Sequence, residues 1–241
     1  MVFWEFIDFF SKFLPIKPME DMKATSIAIP APTLEALLGT RERAHQLLFR
    51  AGYDQVVDVA PFFVKTMLST ATEAQASSAA RISPACPRAR EFFHSMAKPE
   101  LVAGIPSPAA QALLACIDQR DIDKILSITF ISPCPHKAEE LKKLPLPSGV
   151  ELKILPLKEL LKGHELEIEA PSRLDQALRL PELGVPFVKL RGEKEALSYF
   201  GNESQGKAAC VDLQMCPGGC LSGAWCPAPS LSTQPKESDN G

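Results

Sequence analysis

Apolar residues along this chain follow two alternating rhythms. Short continuous apolar runs stand at "SIAIPAP" (26–32), "QVVDVA" (55–60), "ILSITFIS" (125–132), "VELKILP" (150–156), "VPFVKL" (185–190) and "AACVDLQM" (208–215). Their length and β-branched content predict strands, with "QVVDVA" of the fully buried type. Between them the apolar positions recur at helical spacing. "TLEALLGTRERAHQLLFRAG" (33–52) reads as a helix with Thr33 or Thr40 as N-cap and Gly52 as its stop. "PFFVKTMLSTATEAQASSA" (61–79) reads as a second, with Pro61 in its first turn. Further helices are expected at "AREFFHSMAKPELV", "SPAAQALLACID", "HKAEELKKL", "LKELLKG" and "GEKEALSYFG". Strands separated by helices predict an α/β fold in which parallel strands are joined by crossover helices. The expected architecture is two small lobes of mostly parallel strands with flanking helices and a site in the cleft between them.

The ends of the chain follow other patterns. In "MVFWEFIDFFSKFLP", Phe3, Phe6, Phe10 and Phe13 fall on one helical face and Glu5, Asp8 and Lys12 on the other. Pro15 ends this run short of the roughly 20 residues of a membrane span, and no cleavage-type signal is evident. Residues 1–24 are therefore expected to form an amphipathic helix and linker, and 25–226 the functional domain. Beyond it, 227–241 is a polar, Pro/Ser-rich tail expected to be disordered.

Composition adds mainly exclusions. With 26 basic and 29 acidic residues among 241, the net charge is −3, and no basic cluster with interleaved aromatics points to nucleic acid. The cysteines are Cys86, Cys116, Cys134, Cys210, Cys216, Cys220 and Cys226. An odd number without a secretory signal argues for a reducing compartment, the cytoplasm, and for thiols free to bind metal.

Three cysteine loops share one situation: each follows an expected strand and precedes a helix or turn. Cys86 lies in "ISPACPRA", Cys134 in "SPCPHK", and Cys216 and Cys220 in "LQMCPGGCLSG". In parallel α/β folds the carboxyl ends of strands carry ligand sites. Three such loops can bring these thiols together as a cradle for an iron–sulfur cluster, whose iron is held by thiolates. The glycines of CPGGC allow a close turn with unblocked N–H groups. Pro87, Pro135 and Pro217 each follow a candidate ligand and stiffen its loop. Spacing alone leaves zinc bound by thiolates, or incidental buried cysteines, as alternatives. It excludes a ferredoxin-type cluster, because no C-x2-C-x2-C run exists.

Together the loops resemble the signature of the H-cluster domain that closes the large chain of the [FeFe]-hydrogenases. The family's T-S-C-C-P stands here as Ser83-Pro84-Ala85-Cys86-Pro87, and its M-P-C-x-x-K-x-x-E as Ser132-Pro133-Cys134-Pro135-His136-Lys137-Ala138-Glu139-Glu140. Its M-A-C-P-G-G-C-x-x-G stands as Gln214-Met215-Cys216-Pro217-Gly218-Gly219-Cys220-Leu221-Ser222-Gly223. "IAIPAPTLEALLG" and "PELVAGIPSPAAQ" are similar to flanking family segments.

The resemblance implies that Cys86, Cys134, Cys216 and Cys220 ligate a [4Fe–4S] cluster. Cys220 would also bridge to a di-iron subcluster carrying CO and cyanide, completing an H-cluster. Lys137 would donate a charge-assisted hydrogen bond to one cyanide, and the Pro30–Thr33 turn would approach the other. Implied partners are a ferredoxin-like electron donor or acceptor, or a signalling partner, together with hydrogenase maturation proteins.

Several departures change that expectation. Active hydrogenases carry a proton-relaying cysteine before the first ligand; Ala85 stands there, with no ionisable group. Ser132 and Gln214 replace family methionines, and "GAWCPAP" replaces G-G-G-Q-P. The set resembles the divergent, sensory branch of the family, with 2H⁺ + 2e⁻ ⇌ H₂ slow or used to report hydrogen or redox state. The alternative is a non-catalytic [4Fe–4S] protein for electron transfer or iron–sulfur assembly. Among the remaining residues, Cys116 and Cys210 are expected in the core, and Cys226 is close enough to the cluster loop for an auxiliary thiol to be the minor alternative there. His136 is expected on an exposed loop, and Trp225 as a cover over the site.

Overall fold

The computed structural model describes residues 25–118, 125–164, 180–201, 207–216 and 219–227. The expected N-terminal helix, and the tail beyond Pro227, lie outside the described residues.

Among the described residues, seven strands form two sheets, and every strand pairing in them is parallel. The first sheet has the order β2-β1-β4-β5, built from Thr25–Pro30 (β1), Gln55–Val56 (β2), Ile125–Ser132 (β4) and Glu151–Pro156 (β5). The second has the order β3-β7-β6, built from Ala80–Ile82 (β3), Phe187–Arg191 (β6) and Ala209–Gln214 (β7). The helices are α1 (Pro32–Leu38), α2 (Arg41–Arg50), α3 (Ala60–Ser77), α4 (Pro87–Ser95), α5 (Pro108–Asp118), α6 (Pro135–Lys142), α7 (Leu157–Leu160) and α8 (Gly192–Gly201).

The α/β class, the parallel strands and the two flanked sheets agree with the expectation from sequence. Each sheet is sealed by apolar residues from both rhythms. Ile27, Ile29, Ile128 and Phe130 of the first sheet pack against Leu113 and Cys116 of α5. In the second, Ile82, Val211 and Leu213 pack against Phe93 of α4 and Phe200 of α8, whose rings meet edge to face at 5.2 Å.

Three local expectations are corrected. The helix predicted over 33–52 is two helices, because Gly39 turns the chain at φ 85° and Thr40 then caps α2 by accepting from the Arg43 N–H at 3.2 Å. Thr33 lies inside α1 and caps nothing. The buried strand predicted at "QVVDVA" shrinks to Gln55–Val56, a half-buried edge strand, and Ala60 already begins α3. Finally, α4 ends at Ser95, with Ala97 at φ 54°, and "PEL" becomes a separate 3₁₀ turn.

Candidate functional site

The candidate cysteines all follow carboxyl ends of strands, and the two sheets present those ends to each other. "ISPAC" follows β3 and "ISPC" ends β4, and the shared serine does the same work in both. Ser83 Oγ accepts from the Ala85 N–H at 3.3 Å, and Ser132 Oγ accepts from the Cys134 N–H at 3.3 Å. Such serine turns bend the chain out of the sheet within two residues. Each following proline then occupies the first turn of a helix, leaving Cys86 as the extended N-cap of α4 and Cys134 as that of α6. These are positions that favour negative charge.

The third loop leaves β7 through Met215. Gly219 N–H donates to the Cys216 carbonyl at 2.8 Å, and residues 220–222 form a 3₁₀ turn. Gly219 has φ 73°, and a Cβ there would run into the Gln214 carboxamide, so the position requires glycine. Pro217 and Gly218 lie outside the described residues.

The C-terminal part of this loop is fastened to the first sheet. The Trp225 N–H donates to the Pro133 carbonyl at 3.0 Å, and the Lys158 N–H donates to the Trp225 carbonyl at 2.8 Å. Gly223 lies so close to the Pro133 carbonyl that any side chain would displace backbone. Cys226 is buried and its Sγ–H donates to the Cys220 carbonyl at 3.2 Å. Trp225 thus acts through its backbone, bracing the loop.

Lys137 connects the three loops. Its Nζ donates to the Ala85 carbonyl at 2.9 Å. Burial of the ammonium works to lower its pKa. The sulfurs of Cys220, Cys134 and Cys86, and then Glu140, act the other way, and the net displacement is upward. Lys137 is therefore not a solvated surface lysine. Glu140 is itself held by Ser107 Oγ–H at 2.8 Å and faces Arg90 at 3.4 Å.

The thiols lie in one another's fields. Burial pushes Cys220 up to about 12, with Lys137 opposing and Cys86, Asp212 and Cys134 reinforcing. Cys216 is raised by burial and then by Cys86 and Cys134, while Arg88 lowers it. Among the described residues no group of three or more His, Cys, Asp or Glu side chains is gathered at single-ion spacing. The electrostatic coupling runs across all three loops without that collapse.

The donor set fits a thiolate-held cluster: soft sulfur ligands, the N-terminal ends of two helices, and one enclosed ammonium as counter-charge. A second observation concerns Thr33, in the first turn of α1. It is 2% exposed, and its Oγ1 has no hydrogen-bond partner among the described residues. Buried hydroxyls seldom go unpaired, so this one suits a polar group supplied from outside the chain. Cys86, Cys134, Cys216 and Cys220 are the residues that would hold the cluster.

The other candidates settle elsewhere. Cys116 packs in the core of the first sheet. Cys210 is buried beside Met67, its Sγ–H 3.6 Å from the Met67 carbonyl. His136 lies in the first turn of α6 rather than on a loop, half exposed and 3.4 Å from Glu91. Sequence reasoning missed Asp212 and the bonding role of Gln214, both buried on β7. The signal was there: two polar residues at alternate positions in an otherwise apolar strand.

No protein-family model matches this chain, and no curated protein does. Among solved structures it is similar to one described as "[FeFe]-hydrogenase Oxygen Inactivation is Initiated by the Modification and Degradation of the H cluster 2Fe Subcluster". The TM-score is 0.58 at 15% identity, over 90% of this chain and 83% of that one. The chain therefore has a hydrogenase-like α/β fold.

Proposed function

We propose that this chain is a hydrogenase-like iron–sulfur protein, distantly related to the [FeFe]-hydrogenases. Cys86, Cys134, Cys216 and Cys220 would hold a [4Fe–4S] cluster, and Cys220 and Lys137 would serve a linked di-iron group. The observation that carries this reading is Lys137, whose ammonium lies in the field of thiols from all three loops while bound to the Ala85 carbonyl. The likeness of fold and the motif resemblance support it.

When bound, such a group supplies the chemistry that interconverts protons, electrons and hydrogen. The chain's contribution is positional and electrostatic. The strand ends carry the loops, direct bonds join them at Lys137–Ala85 and Trp225–Pro133, the prolines limit their movement, and Lys137 would offer donors and positive charge to an anionic ligand. Ala85, 7% exposed, has no proton to pass at the position where the family carries its relay. Turnover is accordingly slow, and the role is the sensing of hydrogen or redox state, coupled to a ferredoxin-like or signalling partner. Cofactor delivery falls to maturation proteins.

Ala85 also favours a second reading, a non-catalytic [4Fe–4S] protein in electron transfer or cluster assembly. Anaerobic maturation followed by infrared spectroscopy and iron and sulfide analysis separates the two. Bands of iron-bound CO and cyanide support the first. Their absence, with about four iron and four sulfide per chain, supports the second. Zinc without iron would overturn both.

A further inference from the structure

The central strand of the second sheet has two faces of opposite character. Ala209, Val211 and Leu213 enter the apolar core. Cys210, Asp212 and Gln214 line the other face and lead towards the cysteine turn. Asp212 is 1% and Gln214 5% exposed, so both need polar partners inside the protein. In register on β6, Lys189 stands opposite Asp212 and Arg191 opposite Gln214.

The carboxamide of Gln214 is used at both ends. Its Nε2 donates to Asp212 Oδ2 at 3.0 Å, and its Oε1 accepts from the backbone N–H of Cys220 at 3.1 Å. A carboxylate only accepts and an amide N–H only donates, so one orientation of the carboxamide satisfies both. The group also fills the space that a side chain at Gly219 would need. Glutamine therefore ties the turn to the sheet at the residue proposed to bridge the two parts of the cofactor.

We propose that Gln214 is a positioning residue for Cys220. Held by Asp212, its carboxamide draws the Cys220 N–H to the sheet side and withholds it from the sulfurs of the iron–sulfur group. Hydrogen bonds to cluster sulfurs stabilise the more negative, reduced state, and nearby negative charge opposes reduction. Withdrawal of this N–H, with the Asp212 carboxylate behind it, sets the reduction potential lower than an unclamped turn would. The claim about potential rests on the iron–sulfur reading; the clamp itself is a property of the polypeptide.

Two measurements on the full chain test this separately. In the metal-free protein, amide hydrogen exchange at Cys220 is expected to quicken at least tenfold in Gln214→Leu, with the Val211 and Leu213 amides unchanged. Gln214→Met serves in its place if circular dichroism shows Gln214→Leu unfolded. Asp212→Asn keeps an acceptor for Nε2 and is expected to retain the protection at Cys220. In the reconstituted protein, a redox titration followed by electron paramagnetic resonance is expected to shift to more positive potential in both Gln214→Leu and Asp212→Asn. Unchanged exchange in a folded Gln214 variant overturns the clamp, and altered exchange with unaltered potential overturns the tuning. If the wild-type chain takes up no iron and sulfide, the iron–sulfur reading and the tuning fall together. The exchange experiment still decides the clamp.

Discussion

The ammonium of Lys137 and the carbonyl of Ala85 meet at 2.9 Å, although they are 52 positions apart and belong to loops of different sheets. Lys137 enters from the first turn of α6, and Ala85 from the loop leaving β3. This bond joins the two halves of the fold at the candidate site. Replacing Lys137 by Met removes a charged donor and leaves a carbonyl without its partner. Metal-free Lys137→Met is expected to lose about 1–3 kcal/mol of stability, read as a lower urea midpoint with unchanged slope.

Thr33 offers a test in which the sign depends on the cofactor. Its hydroxyl is buried and without a partner among the described residues, so Thr33→Val removes a desolvated polar atom at nearly constant volume. In the metal-free chain this is expected to be neutral or stabilising by about 1 kcal/mol. In the loaded chain the gain disappears, because the hydroxyl then has a group to bond. Melting temperatures of both forms of both proteins give the comparison.

Gly223 fixes the third loop on the second. A methyl group there would meet the Pro133 carbonyl, a backbone atom that cannot rotate away. Gly223→Ala is expected to cost about 1–3 kcal/mol and to reduce iron uptake in the same preparation. Denaturation and metal analysis together check this outcome.

Buried thiols set the response to alkali, Cys210 and Cys226 alongside Cys220. Burial, then the Asp212 charge, pushes Cys210 up to about 12, against 9.0 for a free thiol. Burial pushes Cys226 up to about 11, with the backbone N–H of Gly223 working in the opposite direction. A raised folded-state pKa means that the native chain holds these protons more tightly than the unfolded chain. Their stabilisation is complete below the unfolded value near 9.0 and is lost as pH rises towards 11–12. The urea midpoint of the reduced, metal-free protein should therefore fall between pH 9 and 11, and Cys210→Ala should flatten that fall.

Ala85 lies in the apolar cluster against which Cys220 packs, so a thiol at position 85 would enter the surroundings of the proposed bridging ligand. In protein shown to hold the full cofactor, Ala85→Cys is expected to raise hydrogen evolution from a chemical reductant by about a hundredfold or more, the lower range of a single proton-transfer contribution. Unchanged evolution would place the missing relay elsewhere.

Much of this molecule was legible locally. Apolar runs gave the strands because the central strands β1 and β7 are covered on both faces and bury nearly every position. "ISPAC" and "ISPC" announced their own turns, since a serine bonding two residues onward and a proline entering a helix are local events. The failures were local competitions that the hydrophobic pattern does not register. A glycine at positive φ broke one helix, and a strand at the edge of its sheet needed only two residues.

The amino-acid sequence by itself determined the classes of element, the loops that carry cysteine, and the chemistry of the donors, because each depends on residues within a few positions of one another. Only the tertiary structure decided that Lys137 binds the Ala85 carbonyl, that Thr33 is buried without a partner, and that Gln214 joins Asp212 to Cys220. Those relations arise where the carboxyl ends of two separate sheets meet. Which backbone groups are left to be satisfied there follows from packing between distant segments, and no spacing along the chain encodes it.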